Sequence, residues 1–454
     1  MENNTIAQAW ARTAMHDANP DMSSRGIWRG QWVNALLVVL TVALVFPFGY
    51  SGLVLVLNAA SFTFFTYRLL ISIAGLRDDR DFSKMAELND ELPTYCVLLP
   101  MRNEKPEVVA KLIANISNLN YPTDKLDVVM LVDEDDDFLE AVTALPKPDH
   151  FRILSASAKF PFTKPKVCNY GLYTTDAEFV TIYDVEDNPE PNQLLRVLYK
   201  FDQDQTVACV QCQLKYVNDK PTILARFFEL EYLAWFSTTI HGLSRVQGAD
   251  GFIPLGGTSQ HLRTDILTEM GGWDAVNVTE DCELGVRLCR KGYRVATSDS
   301  VTEEIAVEDI KTWIPQRTRW QMGFMVTFLA HTRSYTSLIR DLGWWRFFNF
   351  KMSVFGNFMS PLITPLLFVI FIRSLFFSGE GETYLRWVPV VTIFGNYFMI
   401  VAVHAIASIR HGNYRNLLLT PLQPFYYLLQ VVTAYRAVWK LITAPYTWEK
   451  TEHK

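Results

Sequence analysis

The sequence predicts an α/β domain with a mostly parallel sheet flanked by helices, attached to α-helical transmembrane segments. Between residues 78 and 307, short β-rich runs alternate with polar helical stretches. Long apolar runs with few charges lie on both sides of this region. The composition agrees, because 49% of the 454 residues are hydrophobic and 30 are Phe, which is too apolar for an ordinary soluble enzyme. The net charge of -6 predicts no nucleic-acid partner.

The first apolar region reads as a transmembrane hairpin at residues 31–77. Its two arms are each close to the ~17–25 residues that a bilayer requires. Arg25 and Arg29 precede the hairpin, and Arg77 and Arg80 follow it. By the positive-inside rule both ends lie in the cytoplasm, so we expect the following domain to be cytosolic and the membrane to be the plasma (inner) membrane.

The C-terminal part contains two strong apolar runs, at residues 352–377 and 388–409, separated by an acidic loop. A last apolar segment at residues 417–442 carries Pro421 and Arg436. It either spans the bilayer or lies half-inserted at the interface, and we favour the interface.

The predicted organisation is a cytosolic tail (1–30), a transmembrane hairpin (31–77), a cytosolic catalytic domain (78–312), amphipathic interface helices (313–350), a C-terminal membrane region (351–442) and a tail (443–454).

Polar or acidic residues follow three predicted buried strands, at residues 95–100, 126–132 and 179–183. The carboxyl ends of parallel strands meet at one edge of a sheet, which is where open sheets of this kind bind ligands. The sequence therefore predicts a nucleotide-binding edge.

The third strand is followed by Asp184-Val185-Glu186-Asp187. Alternate residues of an extended chain point the same way, so Asp184 and Glu186 can share one divalent cation. Hard carboxylate oxygens suit Mg²⁺ or Mn²⁺ when substrate phosphates complete the shell. The alternative is an acidic loop that only begins the next helix.

Two further residues are candidates for holding a nucleotide. Asp133 ends the second strand, where a carboxylate can bind a base or ribose; a solvated acidic loop is the alternative. Lys166 can neutralise a diphosphate, although a single lysine is more often only solvated.

Thr279-Glu280-Asp281 follows a Gly-rich loop and begins an apolar helical pattern. A carboxylate at this position is stabilised by the helix N-terminus and can act as a general base. The alternative is an acidic N-cap.

Gln316, Arg319 and Trp320 share one face at helical spacing. Together they offer an amide, a cation that can hold phosphate, and a flat surface on which sugars stack. The alternative is an interfacial helix with a Trp anchor and a snorkelling Arg.

In this order, the motifs resemble those of the membrane-embedded family-2 glycosyltransferases, the group of the cellulose, chitin, hyaluronan and curdlan synthases. The resemblance covers about residues 95–320 and the flanking membrane segments. Its motifs are Pro100-x-x-Asn103-Glu104, Asp133, Lys166-x-x-Asn169, Asp184-x-Glu186-Asp187, Gly256-Gly257-Thr258-Ser259, Thr279-Glu280-Asp281 and Gln316-x-x-Arg319-Trp320. It implies a GT-A type fold.

The resemblance also implies roles. Donor binding falls to Asp133, Lys166, Asp184, Gln316, Arg319 and Trp320; metal binding to Asp184, Glu186 and Asp187; acceptor binding to Gly257, Thr258, Glu280 and Trp320; and general-base catalysis to Asp281. The metal motif departs from the family's Asp-x-Asp, so the second metal-facing carboxylate is either Glu186 or Asp187. No cyclic-di-GMP-binding domain accompanies the motifs.

The implied function is inverting transfer of a hexose or N-acetylhexosamine from a UDP-sugar onto a growing β-linked polysaccharide. Implied partners are a glycan acceptor, the lipid bilayer, and a second copy of the chain or export subunits. Single-sugar transfer to a lipid-linked or oligosaccharide acceptor is the second hypothesis, and a dormant membrane scaffold or receptor is the third.

Overall fold

The computed structural model describes residues 2–76, 84–87, 91–133, 136–156, 160–161, 163–246, 251–376 and 383–445. In this part of the chain an eight-stranded sheet has the order β3-β2-β1-β4-β7-β6-β8-β5. Its strands are β1 Tyr95–Met101, β2 Leu126–Asp133, β3 Phe151–Ala156, β4 Phe179–Ile182, β5 Asn188–Pro189, β6 Val207–Tyr216, β7 Gln260–Arg263 and β8 Arg294–Glu304.

The predicted parallel sheet forms from β3 to β4, where each strand is parallel to its neighbour. Alternate residues supply two cores: Tyr95 and Val97 of β1 pack on one face, and Cys96 and Leu98 on the other. Burial on both faces explains why this strand reads as a continuous apolar run. The sheet as a whole is mixed, because β7 runs antiparallel to β4 and β6.

The helices are α1 Glu2–Ala18, α2 Trp32–Val45, α3 Gly49–Ala74, α4 Pro106–Ser117, α5 Asp136–Thr143, α6 Lys164–Tyr173, α7 Gln193–Gln203, α8 Ile223–Ala234, α9 Ile240–Val246, α10 Thr264–Glu269, α11 Glu280–Arg290, α12 Ile310–His331, α13 Tyr335–Phe350, α14 Gly356–Phe376, α15 Thr383–Arg410, α16 Tyr414–Leu417 and α17 Gln423–Thr443.

Three helical stretches are long and apolar enough to cross a membrane: Trp32–Ala74, Tyr335–Phe376 and Leu385–Arg410. This agrees with membrane association. Their orientation, the placement of α17 and the domain boundaries stay predictions. Arg77, Arg80 and the acidic loop at 379–382 lie outside the described residues.

The N-terminal segment, which we predicted as a polar tail, contains helix α1 packed against α6. The Asn169 side chain donates a hydrogen bond to the Ala11 carbonyl at 3.1 Å. After the helix, the Asn19 side chain donates to the Met270 carbonyl at 2.9 Å. The segment therefore supports the loop that precedes α11.

Candidate active site

A cavity of about 810 Å³ lies between the edge of the sheet where β4 ends and helices α3, α14, α15 and α17, which we call the membrane-type helices. The predicted site residues that line it are Asp184, Glu186, Gly257, Thr258, Glu280, Asp281, Gln316, Arg319 and Trp320. Residues of α3, α14, α15 and α17 line its other half. The fold therefore brings most of the predicted site together from distant parts of the sequence.

In the acidic loop after β4, two carboxylates line the cavity and a third is buried beneath the loop. Asp184 and Glu186 line the cavity. Asp187 is 0% exposed and accepts hydrogen bonds from the Asp184 backbone N–H at 2.7 Å and from the Thr258 hydroxyl. Burial and the charges on Asp184 and Glu186 raise the pKa of Asp187 above its usual range. Asp187 and Thr258 therefore brace the loop, and Glu186 is the second carboxylate at the cavity.

The lysine that reaches the cavity is Lys164. Its Nζ donates to Asp184 Oδ1 at 2.5 Å and to the Gly257 carbonyl at 2.8 Å. Although burial acts to lower its pKa, the charges on Asp184 and Glu280 raise it above the usual value. This ammonium is fixed beside the acidic loop.

The predicted diphosphate ligand, Lys166, is only 2% exposed and is not among the described residues that line the cavity. Residues two apart on a helix point about 200° away from each other. Lys164 and Lys166 thus cannot both face the site. The sequence does contain a signal for Lys164: it starts α6 and is followed by Pro165, a residue favoured in the first helical turn.

Asp184 and Glu186 form a donor set that fits a divalent cation only in part. Among the described residues, no group of three or more His, Cys, Asp or Glu side chains could hold a metal ion. Two carboxylates with substrate phosphates are, however, a common shell for Mg²⁺. The contact between Lys164 and Asp184 indicates that this carboxylate already attracts a cation. The residues fit a metal that arrives with a phosphorylated substrate.

The N-cap alternative for Thr279-Glu280-Asp281 does not describe the geometry. The N-cap of α11 is Thr279, whose side chain makes no capping hydrogen bond, and both carboxylates lie in the first helical turn. Asp281 Oδ1 accepts from the Cys282 N–H at 2.7 Å. Asp281 Oδ2 lies beside Gly257, so close that a side chain at position 257 would place its Cβ 3.4 Å from this oxygen. Asp281 lines the cavity, and its second oxygen lies on the side of the Gly257 loop.

Burial raises the pKa of both carboxyls above their usual range. The charge on Asp281 raises the pKa of Glu280 further. Lys164 and Arg319 act in the opposite direction on both groups. A raised pKa makes a carboxylate a better proton acceptor, which suits a general base.

A buried ion pair fixes the helix that carries these carboxylates. Arg287 and Glu283 are both 0% exposed, and their closest contact is 3.0 Å. Arg287 also donates to the Met270 and Gly272 carbonyls, each at 2.8 Å. Although burial opposes it, Arg287 lowers the pKa of Glu283, and burial lowers the pKa of His331 to about 4. These contacts tie α11 to the Gly-rich loop before it.

On α12, Gln316, Arg319 and Trp320 all line the cavity, as their helical spacing predicts. Arg319 donates to the Val278 carbonyl at 3.4 Å, next to Thr279. The Trp320 ring stacks on Tyr232, with 5.9 Å between centroids. This helix thus closes the side of the cavity next to Asp281.

Comparison with known proteins identifies the family of the domain. Residues 96–255 match the model of glycosyl transferase family 2, and residues 179–403 match that of glycosyl transferase family group 2. The chain carries a family-2 glycosyltransferase domain. The finer resemblance to polymer synthases stays a prediction.

The similar proteins include one named for a polysaccharide and one named for a glycolipid. A probable glycosyltransferase YdaM of Bacillus subtilis is 26% identical over 317 residues, 67% of this chain and 73% of that protein. A probable glucomannan 4-β-mannosyltransferase 7 of Oryza sativa is 26% identical, covering 75% of this chain and 57% of that protein. A β-monoglucosyldiacylglycerol synthase of Trichormus variabilis is 28% identical, covering 54% and 52%. The matched region is thus little more than half of the last two proteins.

A solved structure supports the fold. The mannosyltransferase PcManGT of Pyrobaculum calidifontis, in complex with GDP-Man and Mn²⁺, superimposes with a TM-score of 0.51 at 15% identity. The match covers 86% of this chain and 98% of that one. The glycosyltransferase domain therefore has the predicted GT-A type fold.

Two residues of the glycosyltransferase domain complete the comparison with the sequence. Asp133 is the last residue of β2, but its side chain lies outside the described part of the structure, so its nucleotide-binding role stays a prediction. Arg317 was missed. It pairs with Glu231 through contacts of 3.1 and 2.5 Å and lies 4.4 Å from the Trp320 ring centroid. Arg317 therefore positions Trp320.

Proposed function

We propose that this glycosyltransferase is inverting and moves a hexose or N-acetylhexosamine from a UDP-sugar onto a growing β-linked polysaccharide. One observation carries the proposal. The paired carboxylates Asp184 and Glu186, the carboxylate of Asp281 and the guanidinium of Arg319 line one cavity, which continues between the membrane-type helices. Donor, base and acceptor route would then meet in one place.

In the donor half, Asp184 and Glu186 would hold Mg²⁺ or Mn²⁺, which would neutralise charge on the leaving diphosphate. Lys164 and Arg319 add fixed positive charge to the same region, and Asp133 would bind the base or ribose. The Mn²⁺ in the complex of the structural neighbour supports a divalent metal here. Its GDP-mannose makes a GDP-sugar the second donor to test.

In the reaction, an acceptor hydroxyl would attack the anomeric carbon on the face opposite the diphosphate. Asp281 would take the hydroxyl proton as the new C–O bond forms and the bond to the diphosphate breaks. Since the attack is on the opposite face, an α-linked donor gives a β-linked product. Gly257, Thr258, Glu280 and Trp320 would lie on the acceptor side.

The membrane half of the cavity supports an acceptor that reaches the site along the helices. Polar groups line it, among them Ser61, Asn357 and Asn396, together with aromatic rings. This mixture suits a glycan chain, whose hydroxyls form hydrogen bonds and whose rings stack on aromatic side chains. Transfer of one sugar to a lipid is the second candidate, favoured by the same position between membrane-type helices and by the name of the Trichormus relative.

The test is an assay of membranes containing the protein with radiolabelled UDP-glucose, UDP-N-acetylglucosamine and GDP-mannose, followed by sizing of the product. The proposal predicts long polymer from a UDP-sugar, and linkage analysis should find the β-configuration. Label that moves into organic solvent as a single-sugar lipid would favour the second candidate. Incorporation from no donor would contradict both.

A further inference from the structure

The membrane half of the cavity contains an arginine that the proposed reaction does not use. Arg68 lies in α3, within the candidate span Trp32–Ala74, and its side chain lines the same cavity as Asp281. It is six residues before the end of the helix, or about 9 Å along the axis. A charged residue inside a span usually faces a pathway or a ligand.

Snorkelling to the membrane surface is the simplest alternative for Arg68. Side chains on a helix lean toward its N-terminus, which is away from the nearby C-terminal end of α3. The guanidinium follows that direction, since it lies over the ring of Phe64 at 5.9 Å from the centroid. It therefore points along the cavity and not toward the near end of the helix.

The carboxylate of Glu231, which neighbours Arg68 in this half of the cavity, already has other hydrogen-bond partners. Glu231 also lines the cavity, but one oxygen accepts from Arg317 and Gln430, and the other from Arg317 and Tyr426, all within 3.1 Å. Across the described residues, no carboxylate forms an ion pair with Arg68. Its charge is not balanced within this part of the chain.

A hydrogen-bonded pair lies next to Arg68. His404 and Tyr427 line a small cavity of about 10 Å³ with it. His404 Nδ1 is 2.7 Å from the Ile400 carbonyl, so it donates there, and Nε2 accepts from the Tyr427 hydroxyl at 3.2 Å. The Tyr427 oxygen in turn accepts a hydrogen bond from the Arg68 side chain. These neighbours orient Arg68 but carry no negative charge.

We propose that Arg68 binds a phosphate carried by a membrane amphiphile that enters this half of the cavity. The inference rests on the proposed function, for which it names an acceptor or primer class: a phospholipid-like molecule whose headgroup extends toward Asp281. A guanidinium binds phosphate through paired hydrogen bonds, and basic pockets between transmembrane helices bind lipid headgroups that enter from the bilayer. The phenyl rings of Phe64 and Phe65 on the same helix suit its acyl chains.

The experiment measures lipid binding to the full chain in neutral detergent by native mass spectrometry. The probes are phosphatidic acid, diacylglycerol with the same acyl chains, and inorganic phosphate. The wild type should retain phosphatidic acid and release diacylglycerol. Arg68→Gln should weaken phosphatidic acid binding about tenfold or more, and Arg68→Lys should fall between them because it loses the paired geometry.

Arg373→Gln is the matched control. Arg373 lies in another candidate span, with its guanidinium over the Tyr50 ring, and is not among the described residues that line the cavity. It should bind phosphatidic acid like the wild type. Equal loss in both variants would reduce the effect to general attraction of anionic lipid and overturn the proposal. Inorganic phosphate that binds as tightly as phosphatidic acid would overturn the lipid part.

Titration with UDP and Mn²⁺ separates this inference from the proposed function. Arg68→Gln should keep the wild-type affinity for the nucleotide, which also establishes that the variant is folded. Phosphatidic acid binding that is unchanged in Arg68→Gln would refute the inference and leave glycosyl transfer intact. Absence of transfer from every donor would refute the proposed function, whatever the lipid result.

Discussion

Replacing Arg287 with Leu should destabilise the protein and misplace helix α11, which carries Asp281. The guanidinium is 0% exposed and makes hydrogen bonds with Glu283, the Met270 carbonyl and the Gly272 carbonyl. Its loss leaves the Glu283 carboxylate buried with only His331 beside it, at 3.3 Å. Because the lowered pKa of His331 keeps that ring neutral at pH 7, it cannot replace the charge. Breaking such a pair costs about 3–5 kcal/mol.

The assay is the melting midpoint of the purified protein in detergent, measured together with glycosyl transfer and nucleotide affinity. Arg340→Leu is the control, since the Arg340 side chain is 77% exposed where it pairs with Asp341 and donates to Ser337; its loss should cost about 0–1 kcal/mol. The double variant Glu283→Leu/Arg287→Leu removes both charges and should recover part of the stability. Equal midpoints for Arg287→Leu and Arg340→Leu would refute the reasoning.

Three further predictions concern the donor site and pH. Lys164→Gln should weaken UDP binding about tenfold, as measured by calorimetry. Lys166→Gln should lower the melting midpoint and leave the UDP affinity unchanged. If instead Lys166→Gln weakened UDP binding and Lys164→Gln did not, Lys166 would be the diphosphate ligand. Chelation should abolish transfer and Mn²⁺ should restore it, with Glu186→Gln requiring about tenfold more metal; full activity in chelator would exclude a metal role. Burial raises the pKa of Glu280, so the folded protein binds a proton there more tightly than the unfolded chain and loses stability as the pH rises. The neutral side chain of Glu280→Gln avoids this loss. The variant should therefore raise the melting midpoint more at about pH 8 than at about pH 5. A gain that shrinks with rising pH would contradict this sign.

The elements that could be predicted from the sequence are those with a strong local pattern. β1 and β2 are buried on both faces and read as unbroken apolar runs. Asp184 and Glu186 both line the cavity as predicted, but the predicted reason was wrong: residues 184–187 form a turn, in which the Asp187 N–H donates to the Asp184 carbonyl at 3.1 Å, and not an extended chain. Helical spacing correctly predicted that Gln316, Arg319 and Trp320 lie together at the cavity.

The remaining features depend on contacts between distant segments. Glu231 and Arg317 are 86 positions apart, so no periodicity relates them, although their pairing holds Trp320. The N-terminal sequence carries only a weak signal that α1 would pack on α6: its buried residues Ala7, Ala11 and Met15 recur every four positions. Lys164 and Lys166 share one short motif, and the start of α6 at Lys164, which Pro165 signals in the sequence, decides which of them faces the site. The burial of Asp187 likewise follows from the Thr258 loop, which reaches it from another strand.

The central claim is that Asp281 is the general base of the glycosyltransferase, and replacing it with Asn tests this most directly. The amide keeps the size and the hydrogen bond from the Cys282 N–H but cannot accept the acceptor's proton. Asp281→Asn should lower the rate of transfer about 10²–10⁴-fold while UDP and Mn²⁺ bind as to the wild type. Glu280→Gln, the neighbouring change, should retain much more of the rate. Wild-type turnover by Asp281→Asn would contradict the assignment.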